Sequence, residues 1–136
     1  MINVVHSRVN EISDTILYQE ARAFVRDTDM PSKKQLNHLN GLAAMGKNWS
    51  DLRKYIDHQR NRDTLPKECK AFYDALWHYF YDSQQGLTQR IQTDLQLVNV
   101  EGLAKNARKQ AVEAWAQELA QEFITHLLAE ALIKQV

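Results

Sequence analysis

The last quarter of the chain places the strongest constraint on its fold. From Leu103 to Lys134 the apolar residues recur at helical spacing, and Val112, Trp115, Leu119 and Phe123 form one orderly stripe. After Phe123 the stripe widens to take in Ile124, Leu127, Leu128, Ala131, Leu132 and Ile133. A helix that is apolar over so much of its circumference needs partners on more than one side. It is therefore expected either to plug the centre of a bundle or to meet another chain. The remainder agrees with helix, because 136 residues hold only 4 Gly and 2 Pro. That is too few turn formers for a many-stranded sandwich or a doubly wound sheet. The expectation is an all-α fold: a compact bundle of five to six helices, residues 1–136 forming a single domain, with a long C-terminal helix.

Punctuation divides the rest. The segment from Asn3 to Arg26 spaces Val5, Val9, Ile12, Ile16 and Phe24 helically, and Ser13-Asp14 offers a point at which a second helix could restart. Pro31-Ser32 with Gln35 reads as a capping box opening a helix that stops at Gly46. Ser50 reads as the next N-cap, with Leu52, Tyr55, Ile56 and Gln59 facing inward. Thr64 before Leu65-Pro66 opens a further helix carrying Cys69, Phe72, Tyr73, Leu76, Tyr79 and Phe80. A shorter helix is expected from Leu87 through Ile91 to Val98, although Leu95 to Val100 could also read as a short strand.

Signals for catalysis are poor. The chain has no Gly-rich phosphate loop, no G-x-S-x-G elbow and no H-E-x-x-H pair. Glu122 and His126 lie four apart on the last helix, but no matching carboxylate set exists elsewhere, so a contact on the helix surface is expected rather than a metal. Cys69, the single cysteine, excludes an intrachain disulfide and reads as a buried, inert thiol. The Met-Ile-Asn-Val-Val start lacks the basic and apolar regions of a signal peptide, and no apolar run is long enough to span a membrane. A cytoplasmic, non-enzymatic protein with no metal and no cofactor is the resulting expectation.

Charge is more informative in its distribution than in its total. The formal net charge is zero, yet residues 1–32 balance to −2, residues 33–70 to +5 and residues 71–136 to −3. Lys33, Lys34, Lys47, Arg53, Lys54, Arg60 and Arg62 all fall in the basic middle. At 100° per residue, Lys54, His58 and Arg62 share an arc away from the apolar face, with Arg53 and Arg60 flanking it through Asp57. Such a face can follow a phosphate backbone. It can equally be a solvated face with Arg53 and Asp57 as an i,i+4 pair. Lys105, Arg108 and Lys109 open the last helix as a second basic group, at the end where the helix dipole disfavours cations. This mildly suggests an external anion or a neighbouring acidic side chain.

The run Trp77-His78-Tyr79-Phe80-Tyr81 is aromatic around its whole helix, so some rings are expected to leave the core, for a partner or for stacked bases. With Gln35-Leu36 opening one helix, then Leu52-Arg53-Lys54-Tyr55-Ile56 and His58-Gln59-Arg60, then Phe72-Tyr73, residues 15 to 82 resemble the small subunit of type III CRISPR effector complexes. The long C-terminal helix departs from that family. Its members are non-catalytic helical bundles that stack in several copies beside guide RNA and target and touch neighbouring subunits. The resemblance implies that Arg53, Lys54, Arg60 and Arg62 contact RNA backbone without reading sequence. Lys33, Lys34, Lys47 and His58 complete the candidate nucleic-acid surface. Trp77, Tyr81, Leu127, Leu128 and Leu132 are the candidate partner interface, and self-association is plausible through it. A helical adaptor or inhibitor that binds only protein is the alternative.

Overall fold

A computed structural model of the chain describes residues 8–28, 41–42, 44, 48–93, 95 and 104–135, with side chains up to Ala131. Every regular element among them is helical. The capping box at Pro31-Ser32 and Gln35 lies outside the described residues, as do Lys33, Lys34, Lys47 and the side chain of Leu132.

Residues 8–27 form one continuous helical stretch. Its end is α1 (Tyr18–Asp27), preceded by a π-helical turn at Ser13–Leu17 in which the Tyr18 N–H reaches back five residues to the Ser13 carbonyl. The position that offered a second start is therefore a register shift inside one helix. One added residue in the turn lets Ile12, Ser13 and Leu17 all point inward. The Thr15 hydroxyl donates to the Glu11 carbonyl at 2.7 Å, occupying an acceptor that a regular α-turn gives to the backbone.

The next element, α2 (Trp49–Arg60), starts two residues earlier than its sequence suggests, because Asn48 rather than Ser50 is the cap. The Asn48 side chain accepts the Asp51 N–H at 3.0 Å and satisfies a donor that has no partner within the helix. Leu52, Ile56 and Gln59 are buried and Tyr55 is half-buried, the inward face read from the spacing. Then comes α3 (Lys67–Tyr81), which begins after Pro66 rather than at Thr64 because Pro66 is still extended at ψ 151°. The short α4 (Leu87–Gln92) ends well before Val98, as Thr93 leaves helical geometry at ψ −82°. Between α3 and α4 the chain turns so tightly that a Cβ on Gly86 would sit 2.4 Å from the Asp82 carbonyl oxygen, which excludes any other residue there. Asp82 secures this turn by accepting the N–H groups of Gln84 and Gln85, bonds that hold its carboxyl below the usual carboxylate range.

The long α5 (Lys105–Gln135) is the central strut. It packs on α1, on the π-helical turn, on α2 and on α4, while its Phe123 ring meets α3. Ala116, Leu119, Ala120, Phe123 and Leu127 are completely buried, so the wide apolar surface plugs the bundle. Phe123 stacks on Tyr79 at 4.0 Å and meets Phe24 and Phe80 edge-on, and burying a side chain of this size contributes about 1.5–3 kcal/mol. No helix among the described residues is long and apolar enough to cross a membrane.

Candidate nucleic-acid interface

The aromatic run on α3 stays largely within the fold. Phe80 is buried and Tyr79, nearly enclosed, donates its hydroxyl to Glu20 at 2.7 Å. Tyr81 is half-buried and donates to the Trp49 carbonyl at 3.0 Å. Trp77 is half-buried and covered by arginines: the guanidinium of Arg60 lies 4.2 Å from its ring centroid and that of Arg53 lies 5.2 Å away. Burial pushes the ionisation of Tyr79 and Tyr81 upward, so both phenols remain neutral hydrogen-bond donors. Among the described residues the large apolar side chain left exposed is Tyr18.

These placements divide the candidate residues. Arg60 is consumed internally, donating to Asp57 at 3.1 Å and to Asp74 at 3.2 Å. Asp57 thus pairs with Arg60 and not, as the i,i+4 spacing suggested, with Arg53. Arg62, though exposed, donates to the buried Gln59 side chain at 3.0 Å. Lys54 and His58 point to solvent on the outer side of α2. Leu127 is removed from the candidate partner interface because it lies wholly inside the core, and Leu128 is half-buried against that core.

Arg53 leads to a feature that the linear sequence concealed. It lines a cavity of about 470 Å³ bounded by α2, α3, α4 and the first turns of α5. Lys105, Arg108 and Lys109 converge on it from α5, and Trp49 and Tyr81 line it as well. The two basic groups read separately in the sequence thus share one concavity. Among the described residues, four cations face a single carboxylate there, Glu113. None of the four makes an ion pair among the described residues. Arg53 instead rests on aromatic rings, 5.2 Å from Trp77 and 5.7 Å from Tyr81, an arrangement that holds its guanidinium without neutralising it. A second concavity of about 310 Å³, which shares Trp49 and Glu113 with the first, carries the opposite sign among its described residues, lined by Glu113 and Glu118 with Gln117, which accepts the Trp49 backbone N–H at 3.2 Å.

Glu122 and His126 meet Ser13 from the π-helical turn. The Ser13 hydroxyl lies 3.2 Å from a Glu122 carboxylate oxygen and shares a 2.7 Å hydrogen bond with His126 Nε2. Ser13 is 3% exposed, so the trio is enclosed between the two helices. The trio locks two helices together, and no group of metal ligands exists among the described residues. The Cys69 thiol is buried and its ionisation pushed up by that burial, as an inert core thiol requires. No family model, curated protein or solved structure matches this chain.

Proposed function

We propose that this chain is a non-catalytic helical subunit of a ribonucleoprotein, contacting RNA backbone through the basic outer side of α2, in the manner of the type III CRISPR small subunits that residues 15 to 82 resemble. The observation that supports this reading most directly is the contrast in how the cations are used. Arg60 is tied into internal ion pairs, whereas Lys54 and the flanking Arg53 remain exposed and make no ion pair among the described residues. A charge kept in water without a partner contributes little to folding and is available to phosphate. Contacts of this kind supply affinity without sequence readout.

The adaptor reading requires an apolar surface, and among the described residues Tyr18 is the large apolar side chain that offers one. The test uses fluorescence anisotropy with a labelled single-stranded RNA twenty-mer. Binding is expected to weaken steadily with added salt and to fall about tenfold in Lys54→Glu/His58→Glu. Arg60 is left intact because its loss would disturb Asp57 and Asp74. An affinity unchanged in that folded double variant, or no RNA binding at low salt, overturns the proposal.

A further inference from the structure

We infer that the basic cavity between α2, α3, α4 and the start of α5 is a pocket for one phosphate-bearing nucleotide, with the phosphate on Lys105, Arg108, Lys109 and Arg53 and the base against Trp49 and Tyr81. The nucleotide is a terminal unit of an RNA strand or a free mononucleotide. This rests on the RNA reading only for the first source; the pocket chemistry is the same for both.

Three observations support the assignment. The size is right for a single unit rather than a strand path, since about 470 Å³ lies in the lower part of the roughly 300–1,000 Å³ range of small-ligand pockets. The charge is wrong for an empty fold. Among the described residues, four cations against one carboxylate leave an excess of three positive charges in a chain whose formal charge is zero. Lys105 and Lys109 stand one helical turn apart, where like charges repel. They also occupy the N-terminal end of a helix that has no acidic residue in its first turn, where the dipole opposes cations. Such an arrangement costs stability on its own and is relieved by an external anion. A terminal phosphate monoester carries close to two negative charges at neutral pH, whereas a phosphodiester within a strand carries one, so the excess favours the former.

The third observation is the wall. Trp49 and Tyr81 lie 4.4 Å apart and are fixed by the Tyr81 bond to the Trp49 carbonyl, with Arg53 held over the Tyr81 ring. Rigid aromatic surface beside a phosphate-binding cluster is the pairing by which proteins hold a nucleotide without reading its identity.

The experiment compares decauridylates bearing a phosphate at the 5′ end, at the 3′ end or at neither, together with uridine, uridine 5′-monophosphate and inorganic phosphate as competitors. One of the phosphorylated decamers is expected to bind about tenfold more tightly than the unphosphorylated one. Lys105→Glu/Lys109→Glu, or the milder Lys105→Gln/Lys109→Gln, is expected to bring that ratio to one. Lys54→Glu/His58→Glu lowers all three decamers by the same factor and keeps the ratio. The monophosphate is expected to compete better than uridine and better than inorganic phosphate. Binding of the monophosphate with no decamer bound supports the pocket with a free nucleotide as its ligand and removes the RNA reading. Equal decamers with no monophosphate binding remove the pocket and leave the RNA reading standing. Parity of monophosphate with inorganic phosphate, or a ratio that survives in both lysine variants, overturns the assignment.

Discussion

Arg90 and Arg53 are both arginines set beside a tyrosine of α3, and the fold treats them in opposite ways. Arg90 lies 5.8 Å from the Tyr79 ring and donates two parallel bonds to Glu20, each 2.9 Å, with its side chain only 19% exposed. Burial opposes the Arg90 charge, but the Glu20 bonds outweigh it and raise its ionisation above the ordinary arginine range. Arg53 lies at a similar 5.7 Å from Tyr81, yet no carboxylate pairs with it among the described residues. The first arginine is spent on joining α1 to α4. The second stays on an exposed rim beside three more cations. A side chain's chemistry is therefore no guide to its role until its partners are known: a desolvated cation must be neutralised from within, while an exposed one can wait for a ligand.

The largest effect is expected at Glu20, which neutralises Arg90. Glu20→Ala leaves Arg90 partly buried without its carboxylate and removes the acceptor of the Tyr79 hydroxyl. A loss of about 2 kcal/mol is expected in urea unfolding, discounted for the partial exposure of Glu20. A change below about 0.5 kcal/mol would show that the pair contributes no more than an ordinary surface bridge.

A smaller effect is expected at the junction that closes the π-helical turn. Ser13→Ala strips His126 and Glu122 of their shared partner and should cost about 1 kcal/mol in thermal unfolding. If Glu122→Gln/Ser13→Ala costs no more than Ser13→Ala alone, the bonds act as one unit.

The smallest effect has the opposite sign. Lys105→Glu replaces a cation with an anion at the positive end of α5 and relieves repulsion in the cavity, so stability should rise by about 0.3–1 kcal/mol. A stabilising substitution at a charged cluster is what a site held ready for an external anion predicts. Destabilisation instead would show that Lys105 has an internal partner.

Much of the fold was legible from spacing. The inward faces of α2 and α3, the length of α5 and the all-α class follow from apolar residues three to four apart, a local property that each helix carries by itself. Boundaries were less legible, because a cap is chosen by which side chain reaches a free N–H: Asn48 reaches Asp51 and Ser50 does not open the helix. The basic character of residues 33–70 was also visible, as was the cluster at Lys105, Arg108 and Lys109. Their convergence was not. Nothing in the spacing of either group indicates that Arg53 and Lys109 line the same cavity.

The helical class, the apolar stripe that makes α5 central and the local excess of positive charge all follow from the linear order of residues, because periodicity and composition act over a turn or two of chain. Which charges are paired depends on the packed fold. Arg60 finds Asp74 fourteen positions away and Arg90 finds Glu20 seventy away. It likewise decided that Leu127 belongs to the core rather than to a surface. Pairing and concavity depend on where distant helices cross, and that is set by the packing of all the buried faces at once.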